Sequence, residues 1–136
     1  MAVHHTAFAP HTLELFSRIE ARTARVGIVG LGYVGLPLVI EFHRRGYSVV
    51  GFDVDDKKVQ ALVAGRTYIE HIPDADIAAL NATGRFEPTT DYAKARACDA
   101  LLLCVPTPLT RHREPDMTYV EGTCAALAPH VRKGQL

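Results

Sequence analysis

Gly30-Leu31-Gly32-Tyr33-Val34-Gly35 spaces three glycines as GxGxxG. Glycine spacing alone carries little information, because glycines gather in many loops. Here it follows an apolar, β-branched run, Val26-Gly27-Ile28-Val29, and opens a helical pattern from Val34 to Arg45. A carboxylate, Asp53, closes the next apolar run, Tyr47 to Phe52. Loop, helix start and acid in that order suit a dinucleotide. Gly30 permits a tight turn, Gly32 leaves no Cβ between backbone and diphosphate, and Gly35 lets the helix pack closely on the strand. The backbone of Leu31, Tyr33 and Val34 completes the cradle, with the partial positive charge of a helix start behind it. Asp53 would accept hydrogen bonds from ribose hydroxyls and repel a 2′-phosphate, so NAD is the expected cofactor rather than NADP.

Two further residues fit this chemistry, each with a plainer alternative. Lys58 falls in the first turn of a predicted helix, where the macrodipole disfavours a cation. It either reaches the adenosine side beside Asp53 or is a solvated lysine compensated by Asp55 and Asp56. Thr107, in Val105-Pro106-Thr107-Pro108, follows a predicted strand at the sheet edge where open α/β sheets bind ligands. It offers a hydroxyl and an N–H to the nicotinamide half, or belongs to a proline-stiffened loop with a structural role only. His4, His5 and His11 have no carboxylate or cysteine at metal-site spacing, so no metal is expected. Cys98 reads as a turn or strand-entry residue. Cys104 and Cys124 read as buried core thiols, the latter beside Val120 and Leu127.

The elements that must position these residues alternate. A short helix capped by Thr12 has an apolar stripe of Leu15, Phe16 and Ile19, with Glu14, Arg18 and Glu20 toward water. Helices are predicted after the Asp55–Asp56 pair, with Val59, Leu62 and Val63 on one face, and from Asp74 to Asn81. A short strand covers Phe86–Thr89 and a short helix Tyr92–Ala97. Ala100–Val105 has the composition of a central strand. Thr118-Tyr119-Val120-Glu121 reads as a capping box for a last helix. Strands alternating with helices predict an α/β fold, a Rossmann-type doubly wound parallel sheet over residues 25–136, preceded by an N-terminal extension, 1–24. The last helix should cross over to another strand, so the sheet reads as truncated before its last strands.

Composition sets the bounds. With 136 residues, 48% hydrophobic and 22% charged, the chain is long enough for one domain with its own core. Fifteen Lys and Arg balance fifteen Asp and Glu, which gives no electrostatic footprint for nucleic acid or an anionic membrane. No apolar run reaches the length of a membrane span, and no secretory leader pattern is present, so a cytoplasmic protein is expected.

Four segments together carry a resemblance: VGIVGLGYVGLPL from Val26, GFDVDDKKV from Gly51, YIEHIPDADI from Tyr68 and LLLCVPTPLTRHREPDMTYV from Leu101. The chain resembles the UDP-glucose/GDP-mannose dehydrogenase family, above all its bacterial UDP-N-acetyl-D-glucosamine 6-dehydrogenases of surface-polysaccharide synthesis. The resemblance implies oxidation of a nucleotide-sugar C6 alcohol to the acid with two NAD+ and a UDP-sugar partner, in a homo-oligomeric full-length enzyme. It also implies that Gly30 to Gly35 bind the diphosphate, Asp53 and Lys58 the adenosine ribose side, and Thr107 the nicotinamide end. The family's nucleophilic cysteine lies in a later segment, so no catalytic residue is expected here and the chain by itself should turn nothing over. Glu70 and Arg111 to Asp116 take no assigned role. Two rivals remain open at this stage: another NAD-dependent dehydrogenase such as a hydroxyacid type, and a stand-alone nucleotide-binding or regulatory module.

Overall fold

The structure, a computed structural model, describes residues 8–136; His4 and His5 lie outside the described residues. Four strands, β1 (Arg25–Val29), β2 (Ser48–Phe52), β3 (Phe86–Thr89) and β4 (Ala100–Leu103), form one sheet in the order β3-β2-β1-β4. Every pairing is parallel, with Val29 aligned on Phe52 and on Leu103. Val26–Val29 and Val49–Phe52 are buried throughout, as strands covered on both faces must be.

The helices divide between those faces. Against Val26, Ile28 and Val49 pack Leu36 and Val39 of α2 (Gly35–Arg44), Leu62 of α3 (Asp56–Val63), and Ile77 and Leu80 of α4 (Asp74–Ala82). Against Val29, Val50 and Phe52 pack Ala95 and Cys98, from a 3-10 helix over Tyr92–Ala97 and the residue after it, and Leu127 of α5 (Thr118–Leu127). The Rossmann-type α/β expectation therefore holds. Among the described residues, no helix is long and apolar enough to cross a membrane.

Several local expectations need correction. The first helix, α1 (Pro10–Glu20), begins before Thr12, because Pro10 at its first position carries a φ already suited to a helix. Phe16 is exposed and meets Phe8 edge-on rather than the core. Arg18 does not simply face water: its Nη1 lies 2.8 Å from Asp99 Oδ1. Val63 is exposed, away from Val59 and Leu62. The capping box does not form. Thr118 is the first residue of α5, and its N–H and hydroxyl both bond Asp116 Oδ1, so the aspartate two residues upstream does the capping. Cys124 is exposed, not buried, and Cys104 is half-buried just past the end of β4. β4 is one of the two outer strands among the four described, β3 being the other, rather than a central one, and Leu103 is exposed. Its free edge meets Leu136, whose N–H donates to the Asp99 carbonyl and whose carbonyl accepts from the Leu101 N–H, the bonding of a parallel neighbour.

At the amino end of the sheet, one buried carboxylate ties four segments together. Asp99 is 3% exposed. It accepts from the Arg25 N–H at 2.7 Å, from Arg18 at 2.8 Å and from Arg132 at 3.2 Å. The opposite, carboxyl end of the sheet is open.

Candidate functional site

A cavity of about 1120 Å³ lies across the carboxyl ends of β1, β2 and β4, the edge where ligands meet open α/β sheets. Gly30, with φ +97, turns the chain off β1; a Cβ there would lie 2.6 Å from the Cys104 carbonyl oxygen. At Gly32 an added Cβ meets nothing within 4 Å, so this residue presents bare backbone to open space. Gly35 stands behind the cavity rather than in its lining. An added Cβ there would sit 1.6 Å from the Gly30 oxygen and 3.3 Å from Ile28 Cγ2, the close approach expected of the third glycine. Among the described residues, the N–H groups of Gly32, Tyr33 and Val34 have no hydrogen-bond acceptor. Three consecutive unsatisfied donors before a helix form a cradle for an anion. Tyr33 and Val34 are exposed.

Leu31 behaves differently. Its side chain is fully buried, and its N–H donates to Asp53 Oδ2 at 2.9 Å. Only its backbone belongs to the site, and that N–H is already committed. Asp53 is 7% exposed. Its Oδ1 also accepts from the Asp55 N–H at 2.9 Å. Each carboxylate oxygen thus uses one of its two lone-pair directions within the protein. Lys58 Nζ is 3.9 Å from Asp53 Oδ2 and 5.6 Å from the centre of the Tyr68 ring, so the lysine does sit beside the acid. Thr107 lines the same cavity from the loop beyond β4 and is exposed. Of the nine predicted residues, all but Gly35 line this one cavity.

The sequence reading missed the rest of the wall. Tyr92 packs on Phe52 with ring centres 5.7 Å apart, and burial, then the Asp53 charge, pushes its hydroxyl pKa up. α5 contributes Thr118, Gly122 and Ala126 to the lining. Small residues recurring every fourth position were the available signal, since they leave a helix face open rather than packed. Cys104 also lines the cavity, and burial pushes its thiol pKa up, which keeps it protonated. The stretch from Arg111 to Asp116 folds back on itself, with Leu109 paired to Pro115 and the Asp116 N–H on the Pro108 carbonyl at 2.7 Å.

Comparison with known proteins bears on this arrangement. The sequence model of the UDP-glucose/GDP-mannose dehydrogenase family, NAD binding domain, matches residues 24–136. The UDP-N-acetyl-D-mannosamine dehydrogenase of Escherichia coli K12 is 37% identical over 117 residues, 83% of this chain and 26% of that protein. The UDP-N-acetyl-D-glucosamine 6-dehydrogenase of Pseudomonas aeruginosa is 32% identical over 112 residues, 82% of this chain and 26% of that protein. The crystal structure of a ternary complex of GDP-mannose dehydrogenase from Pseudomonas aeruginosa superposes with a TM-score of 0.75 at 33% identity, over 80% of this chain and 26% of that one. The chain therefore spans about a quarter of the length of these relatives.

Proposed function

The chain belongs to the UDP-glucose/GDP-mannose dehydrogenase family as an NAD-binding domain, and from that premise we propose that residues 25–136 hold NAD+ for a dehydrogenase acting on C6 of a UDP-N-acetyl-hexosamine. The observation that carries this reading is the run of acceptor-free N–H groups at Gly32, Tyr33 and Val34, in the loop that lines the same cavity as the Asp53 carboxylate. The residues present fit the cofactor. Gly32 leaves the space a diphosphate needs, and the three donors match its charge. Asp53 has lone pairs left for two ribose hydroxyls, with Lys58 beside it to offset the charge.

NAD+, when bound, supplies the hydride acceptor. The chain's own residues bind and orient: the loop amides take the diphosphate, Asp53 and Lys58 the adenosine ribose, and Thr107 the nicotinamide end. Two of the relatives named above, that of Escherichia coli K12 and the UDP-N-acetyl-D-glucosamine 6-dehydrogenase of Pseudomonas aeruginosa, are by name dehydrogenases of UDP-linked N-acetyl-hexosamines. This supports that substrate class here over the GDP-mannose of the third. Taking a primary alcohol to a carboxylate removes four electrons, so each turnover of the longer enzyme would consume two NAD+ and one water, releasing two NADH and the protons that balance the charge.

Equilibrium titration of the chain with NAD+ and NADP+, beside Asp53→Ala, tests the reading. Saturable NAD+ binding, about tenfold or more tighter than NADP+, is expected. The alanine variant should lose at least about tenfold toward NAD+, because charge-assisted hydrogen bonds are worth roughly 1.5–3 kcal/mol each, and should narrow the preference over NADP+. A folded chain that does not bind NAD+, or binds both equally, overturns it.

A further inference from the structure

The diphosphate loop has little of its own to hold it in shape. Gly30 and Gly32 have no side chains, and Tyr33 and Val34 are exposed. The Gly30 N–H bonds the Phe52 carbonyl at 2.7 Å where the loop leaves β1, and the N–H groups of Leu36 and Leu38 of α2 bond the Gly32 and Val34 carbonyls. Between these ends, two hydrogen bonds from outside the loop fix Leu31. The Leu31 N–H donates to Asp53 Oδ2 at 2.9 Å, and the Leu31 carbonyl accepts from the Tyr68 hydroxyl. The first bond fixes the Gly30–Leu31 peptide; the second fixes the Leu31–Gly32 peptide. A trans peptide is planar, with its C=O and N–H pointing in opposite directions. Whatever holds the Leu31 carbonyl therefore also sets the direction of the Gly32 N–H.

We propose that Tyr68 is a positioning residue of the diphosphate cradle: its hydroxyl, bonded to the Leu31 carbonyl, aims the Gly32 N–H at the cofactor. The inference rests on the NAD-binding reading above. Tyr68 is well placed to act as a fixed anchor. The residue after it, Ile69, is 2% exposed, and the Ile69 N–H donates to Thr67 Oγ1 at 3.1 Å. The Thr67 N–H in turn donates to Asp74 Oδ1 at 2.7 Å, at the start of α4. The Lys58 ammonium stands 5.6 Å from the centre of the Tyr68 ring, so the phenol joins the adenosine-side residues to the diphosphate loop. Burial, followed by the charges of Asp53 and Asp55, drives the hydroxyl pKa well above its ordinary value. A raised pKa keeps the hydroxyl protonated, and so a donor, at neutral pH.

The test is Tyr68→Phe, which removes the hydroxyl and keeps the ring, read by calorimetric titration with NAD+ and separately with adenosine. NAD+ binding should weaken about three- to tenfold, the cost of one misdirected hydrogen bond. Adenosine affinity should stay within error, because it does not use the Gly32 N–H, while Tm should fall by only a few degrees, the cost of one hydrogen bond. Unchanged NAD+ affinity, or an equal loss for adenosine, overturns the proposal. If the variant does not fold, the wild-type hydroxyl proton provides the second readout. The half-buried, bonded proton is expected to appear in the 1H spectrum and to shift on saturation with NAD+; a resonance that is absent or does not respond overturns the proposal. Failure of the wild-type chain to bind NAD+ would instead sink the underlying reading.

Discussion

Replacing Gly32 by alanine adds one methyl group where nothing in the protein lies within 4 Å. Gly32 is not among the glycines at positive φ, so alanine takes the same backbone without strain. Folding should be unaffected or slightly favoured, by up to about 1 kcal/mol, because the unfolded chain loses freedom. Cofactor binding should respond in the opposite sense. A methyl group between backbone and diphosphate pushes the phosphate oxygens outward by about 1 Å, which takes N–H···O contacts from about 2.9 Å past the limit of a useful hydrogen bond. Losing two charge-assisted bonds at roughly 1.5 kcal/mol each gives about 3 kcal/mol, or on the order of a hundredfold in Kd. Calorimetric titration with NAD+ and a thermal melt of the same sample provide both numbers. Gly35→Ala is the control: its Cβ would lie 1.6 Å from the Gly30 oxygen, so it should destabilise the fold by about 3 kcal/mol or more. A Gly32→Ala chain that binds NAD+ within threefold of wild type, or melts many degrees lower, would refute this reasoning.

Two predictions concern the rest of the molecule. Asp99→Ala leaves the Arg25 N–H without its acceptor and two partly exposed arginines without their partner, so denaturant unfolding should show a loss of about 2 kcal/mol; a change under 0.5 kcal/mol would mean the network contributes little. Burial pushes the Cys98 thiol up to about 11. A raised pKa leaves the neutral thiol dominant below that value, so at pH 8 iodoacetamide should modify the exposed Cys124 quickly and Cys98 only on unfolding, which mass spectrometry of peptides would show.

Much of the architecture was legible because it is written locally. Apolar β-branched runs gave the strands, and Gly46, Gly65 and Gly84 follow α2, α3 and α4 where ends were expected. The glycine loop and Asp53 could be read together because a short βαβ unit brings strand ends side by side. What failed depends on distant chain segments. Tyr68 is 37 residues from Leu31, and no local pattern marks its hydroxyl as the partner of that carbonyl. Helical spacing points Arg18 to solvent, and nothing local marks its partner, Asp99, which lies just before β4. Helical spacing points Cys124 to the core, but α5 turns much of its small-residue surface toward the cavity, leaving Leu127 as its one buried side chain. At Thr118 the capping box lost to Asp116, whose carboxylate engages both the Thr118 N–H and its hydroxyl. That bonding holds the Asp116 carboxyl below the usual carboxylate range.

The most direct measurement is an amide 1H–15N titration of the chain with NAD+. The amides of Gly32, Tyr33 and Val34 should show the largest shifts and saturate together, with those of Asp53 and Lys58 following. Arg18, Arg25 and Arg132, at the opposite end of the sheet, should stay in place. Shifts centred on those arginines, or scattered without saturation, would contradict a dinucleotide site at the carboxyl end of the sheet.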